Sequence, residues 1–125
     1  MKRDARLIGL SSEHHHALVL ARRATRNELT LDEAQRRFDE ELAPHFPTEE
    51  QILLPALRSA GAVELADRTR AEHVEIRAAL GRADLAELGR LLTEHVRFEE
   101  RELFPACEAL LSPSVLDAVD VHRLR

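Results

Sequence analysis

The feature that most narrows what this chain can fold into is an internal repeat of histidine and glutamate. His45-Phe-Pro-Thr-Glu49-Glu50-Gln-Ile-Leu53-Leu54-Pro55-Ala56 returns later as His95-Val-Arg-Phe-Glu99-Glu100-Arg-Glu-Leu103-Phe104-Pro105-Ala106. The histidine, both glutamates, the first leucine, the proline and the alanine coincide, and Leu54 and Phe104 agree in character. A weaker echo precedes each copy: Glu13-His14 followed by Ala17 and Ala21, and Glu72-His73 followed by Ile76 and Leu80. The chain thus reads as one helical hairpin written twice. Two such hairpins related by a twofold axis bring four histidines to one place.

The helices that carry the repeat are well punctuated. Leu7, Leu10, Ala17, Leu18, Ala21 and Thr25 recur at three- and four-residue spacing, which predicts a first helix over 11–27 capped by Ser11 or Ser12. A second opens on the capping box Thr30-Leu-Asp-Glu33 and runs to residue 60, where Gly61 closes it. Pro44 and Pro47 should bend or restart it just before His45, and Pro55 should kink it again. A third spans 62–80 and stops at Gly81; a fourth runs from the box Asp84-Leu-Ala-Glu87 to 111. Ser112-Pro113 then starts a short C-terminal helix. Short connections make neighbouring helices antiparallel. The expected fold is all-α: an antiparallel up-down-up-down four-helix bundle with a short C-terminal helix, one domain over residues 1–125. Aromatic residues are 3% of the chain, so the aromatic and β-branched mixture that strands need is scarce.

Helix lengths bring the repeated residues to one level. At ~1.5 Å rise per residue, the leg from His14 to the first turn and the leg back to His45 are both roughly 20 Å. The legs joining His73 to His95 are again near-equal. Histidine and glutamate at i and i+4 share one helix face, so an ion held by His45 also meets Glu49, and one held by His95 also meets Glu99. Carboxylates can bridge two cations while imidazoles terminate each. His14, His45, Glu49, His73, His95 and Glu99 thus make six ligands for two metals, with positions left for water, oxide or dioxygen. Burying these glutamates without a cation would be costly.

Among the consecutive His14, His15 and His16, helical phase selects the first. At 100° per residue the apolar and small positions of that helix fall within ~60° of His14. His15 lies on the flank beside Arg22, and His16 faces solvent with Arg23. His14 is the expected ligand and His15 the alternative. Glu50 and Glu100, one position further round, read as surface residues or as outer partners that orient histidines. His122 reads as surface, and Cys107 as a small core residue.

These motifs resemble the hemerythrin-like, HHE cation-binding, family over residues 7–111. The resemblance implies an antiparallel four-helix bundle around a non-haem di-iron centre, two iron ions bridged by oxide or carboxylate. Its ligand positions carry over to His14 (or His15), His45, Glu49, His73, His95 and Glu99. The roles it implies are binding or sensing of O2, NO or peroxide, or iron handling. Two departures stand out. Oxygen-carrying members have a second histidine one turn after the third-helix ligand, where this chain has Arg77; their last helix spaces His and Asp by five, whereas Glu99 follows His95 by four. Iron follows from the resemblance; nitrogen and carboxylate ligands also accept Mn or Zn.

Other classes fit less well. A net charge of −5 and a pI near 5.8 argue against a nucleic-acid partner or an anionic membrane surface. The longest apolar run, residues 17–21, is far short of the ~20 residues that cross a bilayer. A single cysteine with no secretory leader points to a reducing, cytoplasmic location. A di-iron oxidase or peroxidase of the ferritin-like class would use Glu-x-x-His pairs, but Leu42, Arg70 and Leu92 stand three before His45, His73 and His95. A metal-free signalling bundle would expose a phospho-accepting histidine beside Lys and Gly, which no histidine here has. With neither Tyr nor Trp near for radical chemistry, the expectation is a metal-binding or sensing protein with no assigned catalytic residue.

Overall fold

Every regular element in the computed structural model, which describes residues 3–123, is helical, and no strand occurs among the described residues. The outermost residues of the domain expected over 1–125 lie outside the described residues. The α-helices are α1 (Ile8–Thr25), α2 (Leu31–Arg37), α3 (His45–Thr48), α4 (Leu54–Ser59), α5 (Val63–Gly81), α6 (Leu85–Phe98), α7 (Phe104–Leu110) and α8 (Pro113–Arg123). π-helical turns at Phe38–Leu42, Glu49–Leu53 and Glu99–Leu103 extend or join them, so that α2 to α4 and α6 with α7 form long rods. None of the helices among the described residues is long and apolar enough to cross a membrane.

Local chemistry sets the ends. Thr30 and Glu33 form the reciprocal capping box, each backbone N–H donating 3.1 Å to the other's side chain. Asp84 accepts from the Glu87 N–H at 3.1 Å, but the Glu87 carboxylate turns to Arg90 instead. Asn27, Gly61 and Ala83 adopt positive φ (56°, 91° and 59°) just past three helix ends. Each lets the next N–H reach back five residues: Glu28 to Arg23, Ala62 to Leu57, and Asp84 to Ala79. The third closure falls on Ala83 rather than Gly81, which stays helical. Helix α1 starts at Ile8 with no side-chain cap. Ser11, expected to cap, instead donates to Glu100 at 2.6 Å.

The kink expected at Pro55 takes the form of a π turn. Proline lacks an N–H, and its ring crowds the carbonyl four residues back. In the two repeated π turns the N–H of Leu54 reaches the Glu49 carbonyl and that of Phe104 reaches the Glu99 carbonyl, five residues back. Both turns begin on the second motif residue and end just before Leu-Pro or Phe-Pro. π turns of this kind recur at functional sites.

Neighbouring rods run in opposite directions. Going up α1, Arg3 meets Glu108, His14 meets Glu99, and Ala21 lies against Gly89. Arg58 pairs with Asp67 while Glu50 pairs with Arg77, and Arg68 pairs with Glu102 while Glu72 meets His95. Two of the rods approach closely at Gly89 of α6, where an added Cβ would stand 2.6 Å from the Ala21 carbonyl oxygen. Only glycine lets the two backbones come so near.

The apolar core is in two pieces. One gathers Leu20, Ala24, Phe38, Leu42, Ile76 and Leu92; the other gathers Leu10, Leu57, Phe98, Leu103, Phe104, Leu116 and Val119. Helix α8 contributes the last two and so closes the lower piece. Leu18, placed on the inner face by phase, is 40% exposed, and Leu20 is buried in its stead. The buried arc of α1 is centred to one side of His14, toward Ala17, Leu20 and Ala24.

Candidate metal centre

Between the two apolar pieces lies a layer of buried polar side chains: His14, His45, Glu49, His73, His95 and Glu99, each no more than 4% exposed. Four rods supply them. His14 comes from α1, His45 and Glu49 from α3 and the π turn after it, His73 from α5, and His95 and Glu99 from α6 and the π turn after it. His16 is exposed, as phase placed it, and His15, set on the flank as the alternative ligand, is exposed too. All six candidate residues are thus brought to one place.

Their atoms form two overlapping sets. Ligand atoms of His14, His45, Glu49 and Glu99 lie within 4.8 Å of one another, and so do those of Glu49, His73, His95 and Glu99. The carboxylates belong to both sets. Glu49 Oε2 is 3.2 Å from His45 Nε2, and Oε1 is 3.0 Å from His73 Nε2. Glu99 Oε1 is 2.7 Å from His14 Nε2 and 3.3 Å from His45 Nε2, while Oε2 is 2.9 Å from His95 Nε2. One oxygen of each carboxylate therefore faces one histidine pair and the other oxygen faces the second pair.

A cation fits this arrangement better than hydrogen bonding does. Both oxygens of Glu49, Glu99 Oε2, His73 Nε2 and His95 Nε2 are buried without a hydrogen-bond partner among the described residues, although they aim at each other within ~3 Å. Orphaned lone pairs of this kind are what an ion would satisfy, and imidazole with carboxylate is a donor set that first-row divalent metals accept.

Four further glutamates stand behind the histidines. His14 Nδ1 donates to Glu100 at 2.6 Å, His73 Nδ1 to Glu50 at 2.6 Å, and His95 Nδ1 to Glu72 at 2.7 Å. His45 Nδ1 lies 3.1 Å from Glu13. With Nδ1 engaged on the outside, every Nε2 is turned inward, the orientation a metal-binding imidazole needs. Glu50 and Glu100 are thus outer partners rather than idle surface. Glu13 and Glu72 had appeared in sequence only as the residue before each histidine. That repeated Glu-His pair was the available signal, and each glutamate serves the histidine of the neighbouring rod rather than its own neighbour.

The charges are strongly coupled in the metal-free protein. Burial pushes His73 and His95 down, but the facing glutamates outweigh it and raise them to about 10 and about 9. His14 is raised and His45 is raised well above its ordinary value against the same burial. Burial works to raise Glu99, but His95 and the hydrogen bonds from the other histidines hold it well below the usual carboxylate range. The His73 hydrogen bond holds Glu50 at about 2; His14 and Ser11 hold Glu100 at about 2 against burial.

His122, expected at the surface, is only partly exposed. Its Nδ1 is 2.7 Å from Thr48 Oγ1 and its Nε2 3.0 Å from Gln51, tying α8 to the rod that carries His45 and Glu49. Cys107 is buried in the lower apolar piece, as expected of a small core residue.

The family model described as the hemerythrin HHE cation-binding domain matches residues 9–107. No curated protein and no solved structure matches the chain.

Proposed function

The chain belongs to the hemerythrin HHE cation-binding family, and from that premise we propose that it holds two iron ions in one centre and uses them to bind or sense O2, NO or peroxide, or to handle iron. His14 and His45 with Glu49 and Glu99 would hold one ion, and His73 and His95 with the same two carboxylates would hold the other. The observation that carries this reading is the pair of overlapping ligand sets sharing both carboxylates, with orphaned lone pairs aimed inward. The rods then form the family's up-down-up-down four-helix bundle, with α8 as an addition, in one domain over residues 1–125. Mn or Zn would suit the same donors. The lone thiol, Cys107, suits a reducing compartment such as the cytoplasm.

Two ferrous ions held there would supply the open positions and electrons for taking up a diatomic ligand or peroxide. The protein's own part is threefold. Nε2 atoms are held inward by Glu13, Glu50, Glu72 and Glu100. The apolar pieces above and below the layer keep bulk water away, which strengthens every electrostatic contact inside. Two histidines and two carboxylates are all that each ion would receive from the chain, which would leave room for an exogenous ligand.

Metal analysis of protein from iron-rich culture, with optical spectra of the anaerobic protein before and after O2 or NO, tests this. The expected result is about two iron per chain, spectral change on gas addition, and loss of metal in His45→Ala. Protein without near-stoichiometric metal, and a His45→Ala variant indistinguishable from it, would overturn the reading.

A further inference from the structure

Three arginines from unrelated places in the chain end in one arrangement around the histidines. Arg77 Nη1 lies 2.8 Å from Glu50 Oε2, the oxygen that accepts from His73. Its guanidinium carbon sits 5.3 Å from the centre of the Phe46 ring, which stacks on His73 at 4.0 Å and 11°. Arg3 pairs with Glu100 at 3.3 Å, and Glu100 holds His14. Arg3 also covers Phe104 at 5.5 Å, and Phe104 stacks on His14 at 5.3 Å and 3°. Arg68 pairs with Glu72 at 2.9 Å, and Glu72 holds His95. Arg68 lies 4.0 Å over Phe98, whose ring centre is 6.4 Å from that of His95.

The duplication does not explain this recurrence. Aligning His14 with His73 sets Arg77 opposite Leu18, Arg3 opposite Ala62, and Arg68 opposite Gly9. The same grip has been reached three times from positions that the repeat does not relate. The ion pairs of Arg68 and Arg77 are exposed and contribute little to stability by themselves, so fold stability is a poor account of them; Arg3 is less exposed and also pairs with Glu108 at 2.7 Å. A guanidinium offers both a fork for a carboxylate and a flat cation for an aromatic face. Each arginine here uses both at once, on the two groups that border one imidazole.

We propose that Arg3, Arg68 and Arg77 are positioning residues for the metal centre. Each locks the glutamate at the edge of a histidine and the phenylalanine beside the same ring, so that Nε2 stays aimed inward before any ion arrives. The proposal rests on the two-metal reading above. Outer partners of this type change metal affinity by roughly 10–100-fold when lost; an arginine one layer further out belongs at the lower end of that range.

The test is a stepwise Co(II) titration of the metal-free protein, followed by its ligand-field absorption, with a competing chelator to set affinities. Arg77→Met keeps the stem over Phe46 but removes fork and charge, Arg77→Lys restores charge alone, and Arg3→Met addresses the His14 side. Arg90→Met, at a residue whose ion-pair partners among the described residues are Glu87 and Glu94 of its own helix, is the control. Wild type and Arg90→Met should take two equivalents alike. Arg77→Met should bind one equivalent about tenfold more weakly, with the metal-free melting temperature within about 3 °C of wild type. Arg77→Lys should recover part of the loss, and Arg3→Met should weaken the other equivalent. Unchanged affinities in both methionine variants, or equal loss of both equivalents together with a collapsed melt, would overturn the proposal. Wild-type protein taking up fewer than two Co(II) would overturn the two-metal reading itself, and this inference with it.

Discussion

Glu99→Gln probes the centre most directly, because its effect on the metal-free protein follows from charges already described. Glu99 is fully buried and faces all four histidines, at 2.7 Å from His14, 3.3 Å from His45, 3.8 Å from His73 and 2.9 Å from His95. Glutamine keeps the shape and removes the charge. Removing one partner from a buried ionic cluster typically costs about 3–5 kcal/mol, since the opposite charges stay buried without it. At roughly 3–5 °C per kcal/mol for a chain of this size, the melting temperature should fall by ~10–20 °C near neutral pH. The pH dependence has a definite sign. His73 and His95 titrate at about 10 and about 9 when folded, against about 6.5 when unfolded. Their contribution is therefore complete below about pH 6.5 and is lost as pH rises through those raised values. Glu99 is held well below its ordinary value, so its contribution is present above about pH 4.5 and is lost only as pH falls through the depressed value. The gap between wild type and Glu99→Gln should be widest near pH 5–6.5 and should narrow toward pH 10, where the wild type keeps a buried carboxylate whose partners have gone neutral. Circular dichroism melts of chelator-treated protein from pH 5 to 10 measure this. A gap that is absent, or constant across the range, refutes the coupling of Glu99 to the imidazoliums.

Two further outcomes follow from the same geometry. Because the folded metal-free protein carries protonated histidines and a metal requires neutral ones, Zn(II) uptake at pH 7 should release ~2–4 protons and tighten as pH rises; calorimetry in buffers of different ionisation enthalpy counts them, and a proton count near zero contradicts the raised histidines. Gly89→Ala should destabilise by about 1–3 kcal/mol through the clash with the Ala21 carbonyl, despite alanine's helix preference; urea unfolding decides it, and a more stable variant would mean the α1–α6 contact is looser than described.

The repeat made the ligand layer legible because histidine and glutamate spaced by one turn keep a common face in any helix. His14 could be chosen over His15 and His16 by phase alone, and phase placed His14 inward while misplacing Leu18. The reason is that phase is measured within one helix, whereas the buried arc is set by the rods packed around it. The π turn after His45 was signalled by Pro55, but a proline announces only that the ladder must change, not whether it bends or widens; the matching turn before Pro105 lies in a helix expected to run unbroken to 111. The service of Glu13 and Glu72 to histidines on other rods, and of Arg3 to a ring far along the chain, depends on tertiary distances that spacing does not encode. The same holds for His122, which finds Thr48 only because α8 folds back.

Splitting the apolar interior in two has a consequence for how this protein can change over time. A substitution around Leu20 and Ile76 and another around Leu57 and Val119 share no neighbours, so their energetic effects add without correcting one another. Either end of the molecule is then free to drift, be repacked or acquire a new surface, while the charged waist is held in place by its own chemistry.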